Sequence, residues 1–109
     1  MTFQLNIKTA DDLADEAQAQ LMASIQRAVD QHIEDVAKSR DYNSAAHLAG
    51  YASSTVEAWA DEAQAFVAWR DQVWVFVYGW LESVLAGGAA PPETPEDLTA
   101  SLSQITWPE

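Results

Sequence analysis

Residues 55–86 read TVEAWADEAQAFVAWRDQVWVFVYGWLESVLA. Within them Val56, Trp59, Ala63, Phe66, Val73, Val77, Trp80 and Val84 follow one another in alternating steps of three and four, and only Arg70 interrupts the series. Apolar positions spaced in this way form a seam along one side of an α-helix, where a second helix packs. Val67, Trp74 and Leu81 lie on one flank of the seam and Trp69 and Phe76 on the other, so the middle of the helix is apolar around most of its circumference. At about 1.5 Å per residue such a helix reaches roughly 48 Å, whereas a compact domain of this size has a radius of gyration near 13 Å. Either it bends, for which Gly79 is the weak point, or it protrudes and buries its second apolar flank against another chain.

The rest of the chain supplies partners for this helix. Phe3, Leu5 and Ile7 alternate with polar residues, the period of a short extended segment. Thr9 then offers an N-cap, and Asp11, Asp12, Asp15 and Glu16 place carboxylates where the helix dipole is positive. A helix over 10–39 follows, with Met22, Ile25, Val29, His32 and Val36 stepping along one face and Leu21, Ala28 and Ile33 widening it. A short alanine-rich helix is predicted over 44–51, and Ser54 with Glu57 forms a candidate capping box for the aromatic helix. Beyond Gly87 and Gly88, residues 87–93 read as a linker, and Thr94-Pro95-Glu96-Asp97 is a strong start for a last short helix. Pro108 rules out further helix, so Trp107 in the closing residues is either a tether to its own domain or a plug for a partner. The fold expected is a single, mainly α domain over 1–109: an elongated antiparallel helical hairpin or small bundle with a short N-terminal extended arm.

Composition narrows the function. Seventeen acidic against five basic residues give a net charge of -12, so approach to nucleic acid or to an anionic membrane begins with repulsion. The chain has no cysteine, which removes disulfides, thiolate metal sites and a cysteine nucleophile. The most apolar run, Val73 to Leu81, is about half of what a bilayer span requires. Residues 1–9 lack the basic start and apolar core of a secretory signal, which points to a cytosolic chain.

The sequence carries little recognisable chemistry. His32 and His47 lack metal-ligand spacing, and the pairs Asp11-Asp12, Glu34-Asp35 and Asp61-Glu62 diverge around their helices as solvated faces do. No phosphate-binding glycine loop or nucleophile motif occurs, so no catalytic, cofactor or metal residue is assigned and an enzyme is not expected. Arg70, set in the seam between Phe66 and Val73, is the polar residue that stands out, and pairing with a carboxylate there would fix register. The candidate partner-binding residues are Trp69, Arg70, Trp74, Phe76 and Trp107.

The run Arg40-Asp41-Tyr42-Asn43-Ser44, followed by Leu48-Ala49-Gly50-Tyr51-Ala52 and then by Glu62 through Asp71 with Trp74, resembles a helical module recurrent in tail-fibre-region proteins of tailed bacteriophages and prophages. The ending Trp107-Pro108-Glu109 is similar to the Trp-Pro ending of phage tail fibre assembly proteins. The resemblance implies a tail accessory protein without catalytic residues. Its partner would be a tail fibre or other tail protein, and it would act in the host cytoplasm during assembly or in the virion tail. Two alternatives are a homo-oligomeric structural subunit of the tail or baseplate, built through the helical seam, and an acidic inhibitor that mimics nucleic acid.

Overall fold

The computed structural model describes residues 9–88 and 94–108. The expected strand at Phe3, Leu5 and Ile7 and most of the 87–93 linker lie outside them. The described residues form helices α1 (Ala10–Ser39), α2 (Ala45–Ala49), α3 (Glu57–Leu85) and α4 (Pro95–Ala100), with a 3-10 turn at Gly50–Ser53 and no strand among them.

Local chemistry fixes the helix ends. Thr9 and Thr94 each close a reciprocal capping box, with Asp12 and Asp97 respectively, and Pro95 occupies the first turn of α4. These boxes satisfy amide groups that a helix start otherwise leaves unpaired. At the far end of α3, Gly87 takes a φ of 79°, its N–H bonds to Val84 O at 3.1 Å, and the N–H of Gly88 bonds to Ser83 O at 2.8 Å. This is the Schellman closure, whose left-handed residue favours glycine. The capping box expected of Ser54 and Glu57 does not form. The 3-10 turn extends through Ser53, Val56 becomes the N-cap without a side-chain bond, and Ser54 Oγ instead accepts from the Val56 N–H at 3.0 Å.

α1 and α3 run antiparallel as a hairpin. The end of α1 meets the start of α3, where Arg40 pairs with Glu62, and Ala14, Gln18 and Leu21 share a surface cleft with Val84. Ile25, Val29, Ile33 and Ala37 of α1 pack with Ala63, Phe66, Trp69, Val73, Val77 and Leu81 of α3, and Leu48, Leu98 and Leu102 complete the core. The first three turns of α1 are exposed. With a radius of gyration of 18.9 Å the molecule is elongated, well beyond the compact value of about 13 Å. α3 is continuous through Gly79, so the helix does not break there, and α1 runs beside it over most of its length.

The seam differs from the expected one at both ends. Val56 and Trp59 are exposed, Trp80 and Val84 are half-buried, and Trp69 and Leu81 are buried in their place. A straight helix drifts by about 20° per heptad from a 3.5-residue repeat. The stripe that stays against α1 therefore shifts onto the flanks that the sequence spacing left beside it.

Candidate functional site

The hairpin has two sides, and the chain treats them differently. On one side α4 packs against α1, and the tail runs back along α3. The indole N–H of Trp69 donates to Ser103 O at 2.8 Å. Ser101, Leu102 and Ser103 line a small cleft with Trp69, Gln72, Val73 and Phe76. Further along, Trp107 stacks parallel to Phe66 with ring centroids 6.4 Å apart, and the Arg40 guanidinium sits 5.2 Å from the Trp107 ring centroid. The His32 ring, on the same side of α1, lies 5.9 Å from Trp69.

This geometry corrects two of the candidate partner-binding residues. Trp69 is only 6% exposed and spends its one polar group on the tail, so it is part of the protein's own core. Trp107 is the tether rather than a plug for a partner, because Phe66 and Arg40 hold its ring against the domain. Both residues lie on the side where the tail returns, a contact between distant segments that no local spacing reveals. Arg70 also differs from expectation. Its guanidinium bonds to the adjacent Asp71, with Nη2 to Oδ1 at 3.0 Å, so it fixes no register between helices.

On the opposite side α2 and the 3-10 turn cover only the first part of α3. The Ala45 N–H donates to Glu34 on α1, and Gln64 Nε2 donates to Ala52 O at 3.0 Å. Past Gln64 nothing described overlies this flank. Val67, Asp71, Trp74, Tyr78, Leu81 and Leu85 follow in steps of four and three along it. Tyr78 is 51% exposed and Val75, at its border, 75%, while Trp74 is half-buried and stacks on Tyr78 with centroids 5.4 Å apart. Phe76 is equally exposed, at 49%, but it stands on the tail side.

The matching side of α1 carries acidic and small residues and one cation, Arg27. Helical spacing from Glu34 carries the line through Asp30, Arg27, Ala23, Ala19 and Asp15, with Met22 and Gln26 half-buried beside it. The face that the described residues leave open thus carries Trp74, Tyr78 and Leu85 beside the buried Leu81, bordered by Asp15 and Asp30 on α1 and by Glu82 on α3, with Asp71 paired to Arg70. Tyr78 and Val75 fall outside the seam and its flanking series, so sequence spacing does not single them out. The signal available was that apolar residues fill all sides of α3 between Val73 and Leu81.

A second cluster lies at the closed end of the hairpin. Tyr42, His47, Tyr51 and Trp59 gather there, and the Tyr42 hydroxyl donates to Glu62 at 3.2 Å. Burial, then the hydrogen bond and negative charge of Glu62, pushes the Tyr42 hydroxyl above the ordinary tyrosine range. Among the described residues no group of three His, Asp or Glu side chains is arranged to hold a metal ion, and no helix is long and apolar enough to cross a membrane. No family model matches the chain, and no curated protein or solved structure is significantly similar to it. Among the described residues the fold defines a mainly α helical hairpin whose tail packs against one side and leaves the other open.

Proposed function

We propose that the protein is a binding module for another protein, and that its Trp74–Tyr78 face receives an amphipathic helical segment carrying Lys or Arg beside its apolar stripe. The observation that carries this reading is the flank of α3 that the tail does not reach, where Tyr78 and Val75 stand in solvent beside Asp15, Asp30 and Glu82; on the tail side Trp69 is buried and Phe76 is 49% exposed. Exposed aromatic strips of this kind supply the anchoring contacts of protein interfaces, and the acidic border selects a basic partner. A second copy of the chain fits less well, because it would bring two acidic borders together on a protein of net charge -12. Taken with the resemblance to tail-fibre-region proteins of bacteriophages, the segment received belongs to a tail fibre or another tail protein, and the chain assists its assembly or attaches to it.

The test compares two aromatic residues of nearly equal exposure. A designed amphipathic helix of Leu and Lys, titrated against the chain by calorimetry, should bind. Tyr78→Ala should weaken it by about tenfold or more, the loss expected of an interface anchor, while Phe76→Ala leaves it unchanged. Equal losses from the two variants, or equal binding of a Leu and Glu helix, would overturn the assignment of the face. Co-expression with a tail fibre protein addresses the partner separately: the fibre should be soluble only when this chain is present. If the Leu and Lys helix binds but the fibre is soluble alone, the face stands and the assembly role falls.

A further inference from the structure

The aromatic cluster at the closed end of the hairpin stands apart from the Trp74–Tyr78 face and has a chemistry of its own. Tyr51 is at its centre. Its ring centroid lies 5.9 Å from that of Tyr42, 5.3 Å from His47 and 5.6 Å from Trp59, the last edge-on at 69°. These four rings, with Asp41, Asn43 and Glu62, line one surface cavity of about 260 Å³. The volume is below that of sites that enclose a drug-sized ligand, roughly 300–1,000 Å³, and suits a single side chain.

Three features make the cavity a receptor for a cation. Trp59 is 48% exposed, although a tryptophan at that position of the seam would be covered if α1 reached it. Its indole and the adjoining tyrosines offer π faces, which attract ammonium groups. Asp41 is exposed at the rim and, among the described residues, is the non-glycine residue with positive φ, at 71°. Aspartate tolerates this left-handed conformation better than most residues. The nearest cation, Arg40, is already engaged, pairing with Glu62 and lying over Trp107.

Acceptors at the rim define the cation further. Asp41 presents a carboxylate, while Glu62 is taken up by Arg40 and the Tyr42 hydroxyl, and His47 Nε2 lies 3.1 Å from the Tyr51 hydroxyl, so the wall carries groups that can accept N–H hydrogen bonds. A quaternary ammonium has no N–H to give them. A primary ammonium on an alkyl stem uses both parts, its methylenes against the rings and its head toward the Asp41 carboxylate. We propose that the cup formed by Tyr42, His47, Tyr51 and Trp59, with Asp41 at its rim, binds a primary alkylammonium group of the lysine side-chain type.

The experiment is an NMR titration of the intact chain with n-butylammonium chloride, with sodium chloride at equal ionic strength as the reference. The Trp59 indole N–H should shift and saturate while the other four indoles stay in place. Asp41→Asn keeps a residue that accepts the left-handed backbone, removes the charge, and should weaken binding about threefold to tenfold. Trp59→Ala, at an exposed position, should weaken it similarly when followed through the Tyr51 amide. A shift that never saturates, or one that sodium chloride reproduces, would overturn the site. Binding of tetramethylammonium as tight as that of n-butylammonium would overturn the primary-ammonium assignment.

Discussion

Replacing Trp69 by Phe removes the indole N–H that reaches Ser103 and leaves a gap beside Phe66 and His32. A lost hydrogen bond of about 1 kcal/mol together with lost packing predicts a cost of about 1–3 kcal/mol in urea unfolding. Trp74→Phe, on the uncovered flank, should cost less than about 1 kcal/mol. Equal costs would mean that the tail is not anchored through Trp69. Tyr42 makes a pH prediction. Its hydroxyl is pushed above the ordinary value in the fold, so the folded state holds that proton more tightly than the unfolded chain does. The contribution is fully present below the unfolded tyrosine value of about 10 and is lost as pH rises through the folded one. Stability should therefore fall above about pH 10, and Tyr42→Phe should make that fall shallower.

At the scale of elements, α3 carries an internal glycine that packing does not require. A Cβ built at Gly79 meets nothing within 4 Å, and the helix passes through it unbroken. Gly79→Ala should raise stability by about 0.5–1 kcal/mol, read as a higher urea midpoint, because it lowers the entropy of the unfolded chain without a steric penalty. A fall in the midpoint would show that the open side of α3 is packed in solution. The short elements do different work. α2 and the 3-10 turn contribute mainly small residues around Leu48, and they place Tyr51 against Trp59. α4 contributes Leu98 and Leu102 and delivers the tail to Trp69.

For the whole molecule, charge and shape are the governing quantities. A net charge of -12 on 109 residues makes the folded chain repel itself. Screening tightens from about 30 Å at 0.01 M salt to under 10 Å above 0.1 M. The thermal midpoint should rise over that range as sodium chloride is added. A falling midpoint would instead indicate that ion pairs such as Arg40–Glu62 outweigh the repulsion. The elongated hairpin spreads these charges while leaving one flank of its most apolar helix uncovered, and a basic partner would relieve both conditions at once.

Helix content, the caps at Thr9 and Thr94, the stop at Gly87 and the 10–39 helix were legible in the sequence, because each depends on neighbours within a turn or on a repeating period. So was the aromatic helix, and its excess of apolar surface over what one seam can bury. Local spacing could not say which flank the protein would cover for itself. Trp69 on one side and Trp74 on the other are equivalent in periodicity. They differ because a tail more than thirty residues downstream returns to the first side. The same holds for Trp59, which belongs to the seam by spacing and to an exposed aromatic cup by structure, since Tyr51 rather than α1 lies opposite it. Periodicity thus determined that residues 55–86 form a helix apolar on nearly every side, and only the path of the remaining chain decided which side meets solvent.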